Sequence, residues 1–411
     1  MRTACDFADF VHVFFYDSRN SFIEVIARFS VLEEVIGVFS HTACNRVVRI
    51  QRALTEFCQS LLINQTCQIF ILQHFNFLDF VRSTETIEEV DEWHARFDSS
   101  KMGYSSHIHN FLYRTFAQHE IDKEVEVIID EIQSYEDSPS ELIFDDFEEL
   151  IFPNHPLGRN ILGKPDLLRS FKSEHALNFT SRFYKATNMI FFIQGNIDFK
   201  KVIRTIEKVT TDIPFSITER QRTEPFLYIP KTLTLNKETH QAHVMIGSRG
   251  YNAYNEKRTG LYLLNNLLGG PGMNSRLNVS LRERRGLVYN VEANLTSYTD
   301  TGVFCIYFGT DPEDADRCIG LVHKELKKLR DSKLSSSQLS AAKKQIIGQI
   351  GVAGDNFENN ALDMGKTFLH YGKFEGPEEV FKRIEMLTAE HLWDIANEMF
   401  DENYLSTLIY L

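Results

Sequence analysis

No proline precedes Pro139, and only Gly37 and Gly103 interrupt the first 114 residues. Glycine and proline punctuate turns, and a domain of mixed helices and strands needs many turns. The chain therefore cannot be one evenly built domain. It reads as an atypical N-terminal segment, residues 1–114, joined to a body with ordinary punctuation. At 411 residues the whole exceeds a single core, and two domains are expected.

Within the segment the hydrophobic pattern is uneven, and residues 22–39 and 60–80 read as helices. Four cysteines fall there (Cys5, Cys44, Cys58 and Cys67), and Cys305 and Cys318 complete the set. None forms a Cys-x-x-Cys pair, and six in so long a chain are no disulfide scaffold. A reducing compartment is expected, with the cytoplasm as the default. The apolar patch at residues 10–16 lacks the small-residue cleavage site of a signal peptide. No apolar run reaches the roughly 18 residues of a membrane helix. The net charge of −13 argues against a nucleic-acid backbone as the main partner, because phosphate binding needs a basic face.

From residue 115 the pattern becomes regular. Residues 119–136 have helical spacing, with Ile121, Val125, Ile128, Ile129 and Ile132 on one face. Pro139 ends that stretch, and an acidic helix is expected over 140–150. A helix at 172–183 and a short apolar strand at 189–194 follow, and the polar run 215–235 reads as an interdomain connection. Beyond it come a strand at 239–247, a helix at 256–268 stopped by Gly269-Gly270, and a helix at 274–285. Strands at 288–298 and 302–308 are joined by a polar turn. Helices are expected at 313–330, 336–350 and 389–400, and a closing strand at 405–411. This order is α+β, with antiparallel hairpins rather than a succession of βαβ units. The domain divisions are 1–114, 115–214 as the remainder of a first domain, 215–238 as linker, and 239–411 as a second domain.

Three groups of residues invite a chemical reading. Glu124 and Glu131 are seven apart, on one helix face that borders apolar surface. Burying unpaired carboxylates is costly, and a bound cation would relieve it. Against that, residues 120–149 hold thirteen acidic side chains and one lysine, the composition of a solvated face. Gly269-Gly270-Pro271-Gly272 precedes a helix carrying Arg276, Arg282, Arg284 and Arg285. A glycine-rich loop ahead of a helix can cradle phosphate. Here no Gly-Lys-Ser/Thr follows and the preceding element is a helix, so a helix–turn–helix corner is expected. Arg282 and Tyr289 are either a surface arginine and a strand tyrosine, or a pair of donors for a substrate carbonyl.

In combination these segments resemble the pitrilysin/insulinase family of zinc peptidases, in particular its shorter two-domain bacterial and processing-peptidase-like members. Residues 123–132 (Lys-Glu-Val-Glu-Val-Ile-Ile-Asp-Glu-Ile) look like the helix that carries the family's third zinc ligand. Residues 155–163 (His-Pro-Leu-Gly-Arg-Asn-Ile-Leu-Gly) look like the loop after it. Residues 268–277, followed by 281–289 (Leu-Arg-Glu-Arg-Arg-Gly-Leu-Val-Tyr), look like the family's second-domain motif. The resemblance covers residues 115–411. It implies two similar domains, each a largely antiparallel sheet packed with helices, facing each other as a clamshell. It also implies zinc, peptide or unfolded-protein substrates, and hydrolysis by zinc-activated water. Glu131 takes the third-ligand position and Glu124 that of a supporting carboxylate. Arg282 and Tyr289 take the positions that contact the substrate and its developing oxyanion.

The family's central motif is His-x-x-Glu-His, in which two histidines bind zinc and the glutamate activates water. Its expected place, near Gln51–Thr55, holds no histidine, and none of the chain's 14 histidines fits the motif. Three explanations stand. The chain is a non-catalytic partner that forms a dimer with itself or with a zinc-bearing homologue. Or residues 1–114 replace the native segment, leaving the first domain incomplete. Or the segment holds other ligands in a divergent fold.

Overall fold

The computed structural model describes residues 116–185, 189–194, 199–211, 225–354, 357–373 and 375–411; before residue 116 it describes only the backbones of four strands. These are β1 (Phe10–Asp17), β2 (Ser21–Arg28), β3 (Thr66–Gln73) and β4 (Asp91–Asp98). The first half continues with α1 (Gln118–Glu136), α2 (Pro139–Ile151), α3 (Ser173–Phe183), β5 (Met189–Gln194) and α4 (Phe199–Thr210). The second half opens with β6 (Thr232–Leu235), β7 (Ala242–Arg249), α5 (Arg258–Gly269), β8 (Val288–Ser297) and β9 (Gly302–Thr310). It closes with α6 (Ala315–Asp331), α7 (Ser336–Ala353), α8 (Phe357–Tyr371), α9 (Pro377–Met386), α10 (Ala389–Met399) and β10 (Ser406–Tyr410).

The strands form two five-stranded sheets, ordered β2-β1-β5-β3-β4 and β6-β10-β7-β9-β8. Each contains one parallel pair, β1–β5 in the first and β6–β10 in the second, and is otherwise antiparallel. The fold is the expected α+β. Two expectations need correction. β2 and β3 occupy parts of the stretches read as helices at 22–39 and 60–80, because short apolar runs without Gly or Pro do not separate strand from helix. The first sheet also has as many strands as the second, so the gap expected in it is absent at the level of strands. The remainder of 1–114 lies outside the described residues. The last four residues of the run read as a connection, 215–235, form β6 at the edge of the second sheet.

α1 forms where the isoleucine spacing requires it. Ile121, Val125, Ile128, Ile129 and Ile132 are buried against Ile161, Leu162, Leu168 and Ala176, while its carboxylates other than Glu131 are exposed. Pro139 is the first residue of α2, where its fixed φ suits a helix start. β9 is buried along its whole length. Phe304, Ile306 and Phe308 pack under α5, α6 and α10. Val303, Cys305 and Tyr307 point the other way, against Phe147 and Phe152 at α2. That double burial explains its unbroken apolar sequence in an antiparallel sheet. α2 thus belongs to the second sheet's core, and α8 in turn packs against β5 and β3 of the first sheet. Each half lends a helix to the other. Arg249 fixes one such junction: Nε and Nη2 donate to the Ile151 carbonyl at 3.3 and 3.1 Å, and the guanidinium lies over the Phe152 ring.

Candidate functional site

Where α2 leaves the second sheet uncovered, a cleft of about 670 Å³ opens. Its walls come from Tyr135 at the end of α1, from Glu141, Phe144 and Glu148 of α2, and from residues of β8 and β9. β8 is an edge strand of the sheet, at the end opposite β6. Its side chains alternate as pleating requires. Val291 and Ala293 enter the core, while Asn290, Glu292, Asn294 and Thr296 line the cleft. The pairing with β9 slips between Val288 and Val291, leaving Tyr289 and Asn290 in a bulge. A bulge re-aims its side chains, and Tyr289 stands 78% exposed in the cleft wall.

A second lobe of about 390 Å³ adjoins the first and shares Tyr262, Asn265, Asn290, Glu292 and Asn294 with it. Its other residues include the glycine-rich turn and Arg282. Arg282 lies on a π-helical turn, Asn278–Glu283, rather than on the plain α-helix expected over 274–285. Such turns carry an extra residue and occur often at functional sites. Gly286, at φ +62°, reverses the chain so that the Leu287 N–H reaches the Leu281 carbonyl at 3.0 Å. The turn after α5 is the expected helix corner. At Gly269 a Cβ would lie 2.5 Å from the Ala293 nitrogen, so α5 touches the β8 backbone with no side chain between. Gly269→Ala should cost about 1–3 kcal/mol, read as a lower urea midpoint with unchanged m-value.

Electrostatically the larger lobe is one-sided. Among the described residues no lysine, arginine or histidine lines it. Burial raises the pKa of Glu292, with a hydrogen bond to Asn294 opposing the rise. Burial first, and the Glu292 charge second, push the Tyr307 phenol up to about 12. The Tyr307 hydroxyl pairs with His243 Nδ1 at 2.9 Å, and burial lowers the pKa of His243. Glu148 accepts a hydrogen bond from the Tyr298 hydroxyl at 3.0 Å.

Of the four residues singled out in sequence, Arg282 and Tyr289 come to neighbouring lobes of one cleft. Glu131 is half-buried on α1, one turn before Tyr135, and Glu124 is exposed two turns further back; neither is part of the cleft wall. In the loop after α2, His155 accepts from the Leu157 N–H at 3.2 Å and caps a turn. The sequence reading missed the polar row of β8. Its signal is the alternation of Asn290, Glu292, Asn294 and Thr296 with Val291, Ala293 and Leu295, a polar stripe facing the interior of the molecule.

Comparison with known proteins fixes the family. Residues 170–346 match the family model described as the peptidase M16 inactive domain. A Rickettsia felis protein named an uncharacterized zinc protease is 31% identical over 298 residues, covering 72% of this chain and 71% of the relative. The Bacillus subtilis uncharacterized zinc protease YmxG is 30% identical, covering 73% and 72%. The chain belongs to the pitrilysin/insulinase peptidase family. Solved structures share its fold. A peptidase M16 inactive domain from Pseudomonas fluorescens aligns with a TM-score of 0.74 at 14% identity, over 84% of this chain and 93% of that one. A chain of Complex III2 from Candida albicans aligns at 0.69 and 13% identity, over 85% and 92%.

Zinc is the metal that the family's zinc proteases imply. The described residues do not fit it. Among them no three His, Cys, Asp or Glu side chains come together, whereas zinc in a peptidase needs three protein ligands. The full sequence contains no His-x-x-Glu-His from which the remaining ligands could come.

Proposed function

We propose that this chain is a peptidase-family scaffold that holds peptides or unfolded segments in its cleft and does not hydrolyse them alone. The observation that carries this reading is the mismatch between its two ends. Arg282 and Tyr289 stand in adjoining lobes of one cleft, and the motif that would activate water is missing from all 411 residues. Arg282 and Tyr289 are donors suited to a carbonyl oxygen and its developing charge. Donors polarise a peptide bond but supply no nucleophile. Hydrolysis then requires a zinc-bearing homologue as partner subunit, and a homodimer of this chain stays inactive. The compartment proposed from cysteine usage is the cytoplasm.

Zinc content and turnover, measured on one purified sample, test the reading. Elemental analysis should find far less than one zinc per chain, and a quenched-fluorescence peptide should show no chelator-sensitive cleavage. A stoichiometry near one, with cleavage abolished by chelator, overturns the proposal and places unrecognised ligands in residues 1–114.

A further inference from the structure

We infer that a groove outside the cleft binds a free α-amino acid with an apolar side chain. The groove measures about 630 Å³ and lies between the start of α5, the segment after α8, α9 and α10. That is the size of an ordinary small-molecule site. It shares no residue with either lobe of the cleft, so a ligand there is read separately from a peptide in the cleft. Its body is apolar. Leu387 and Ile395 line it beside Tyr254 and Met386, and the last two are exposed, Met386 to 67%. Large apolar side chains left exposed together around a concavity mark a place for a ligand, where scattered ones do not.

The charges of the wall set the ligand's ends. Lys257 pairs with Glu398 at 2.5 Å. Glu375 takes Lys373 on one carboxylate oxygen at 3.0 Å and Arg383 on the other at 2.6 Å. Burial works against its ionisation, but those two partners hold its pKa below the usual carboxylate value. Arg258, Glu256 and Asp394 also line the groove, and among the described residues none of them has an ion-pair partner. Besides the His391 imidazole, the charges balance: Lys257, Arg258, Lys373 and Arg383 stand against Glu256, Glu375, Asp394 and Glu398. A ligand of one sign meets as much repulsion as attraction there, whereas a zwitterion finds a partner at each end. Arg258 is held ready for the carboxylate. Its Nη1 donates to the Tyr371 hydroxyl at 2.9 Å and to the Ala253 carbonyl at 3.4 Å. Those bonds fix the guanidinium plane and leave Nε and Nη2 without a bond among the described residues. That edge of the fork takes both oxygens of a carboxylate. Glu256 and Asp394 are acceptors only and suit an ammonium, while the apolar body of the groove takes the side chain.

Ligand-observed NMR titrations of the full chain at mildly acidic pH test this with four probes. L-phenylalanine is compared with L-phenylalaninamide, which keeps only the ammonium, and with 3-phenylpropanoate, which keeps only the carboxylate. Glycine supplies both charges without the apolar body. Phenylalanine should bind about tenfold more tightly than each of the others, the worth of one charge-assisted hydrogen bond. Arg258→Gln should erase its lead over phenylalaninamide, and Asp394→Asn should shrink its lead over 3-phenylpropanoate. Asp394 is exposed, so the second variant reports even where the first does not fold. Any other probe binding as tightly as phenylalanine, binding of none of the four, or leads untouched in the folded variants would each overturn the amino-acid site.

Discussion

Once zinc chemistry is supplied from outside, Tyr289→Phe and Arg282→Ala should each lower kcat by about 10²–10³-fold while changing KM little. The supply is either a zinc-bearing homologue mixed with this chain or a replacement of residues 1–114 by the corresponding segment of a relative that carries His-x-x-Glu-His. The size follows from where the donors stand. Tyr289 leaves the β8 ladder at the bulge, and Arg282 sits on the π-helical turn across the shared wall. Among the described residues neither side chain makes a hydrogen bond, so their loss should leave stability nearly unchanged. A donor that meets charge only as it develops on the peptide oxygen contributes to kcat and hardly to ground-state binding. Tyr289→Phe keeps the ring and removes the hydroxyl, so it separates donation from stacking. An unchanged kcat in both variants would remove the pair from the chemistry. A raised KM at constant kcat would make them peptide-holding residues only.

How far the sequence foretold this site depends on the element. α1 and α2 were legible because the isoleucine spacing and Pro139 act locally, and the β8–β9 hairpin because its turn residues are unambiguous. The strands β2 and β3 were not, since an apolar run without Gly or Pro on either side carries no period to choose by. α8 and α9 had no expectation at all. Leu362, Met364, Phe368 and Leu369 of α8 are buried, and the helix packs against β5 and β3 of the first sheet, a partner far away in sequence. α9 has a legible start in Gly376-Pro377 with Glu379 reaching back to the Gly376 N–H, a signal the hydrophobic pattern alone overlooks. The π-helical turn at Arg282 follows from packing against β8 and is invisible to periodicity. Residue chemistry left Arg282 and Tyr289 open between a surface pair and a donor pair, and the resemblance to a family gave them a role. Glu292 and Asn265 needed the fold, because one lies on an edge strand and the other on a helix, and nothing in their spacing brings them together.

Phe147→Ala should cost about 3–5 kcal/mol of stability and weaken peptide binding with it. Phe147 is 1% exposed on α2 and packs with Met245, Val303, Cys305 and Tyr307 on the cleft side of the second sheet. It is also part of the cleft wall. Removing its ring leaves a cavity between helix and sheet, which the helix relieves by shifting toward β9 and so reshaping the cleft. Phe304→Ala is the control. Phe304 is fully buried on the opposite face of the same strand, its ring 5.1 Å from that of Phe400. Its truncation should cost a similar amount in urea unfolding, yet leave the cleft side of the sheet in place. Above the unfolding transition of both variants' mixtures the comparison has no meaning, so affinities belong in the folded baseline of each. There Phe147→Ala should bind peptide more weakly than Phe304→Ala at equal stability. Equal affinities would mean that α2 is a structural prop that lends the sheet its burial and takes no part in shaping what the cleft holds.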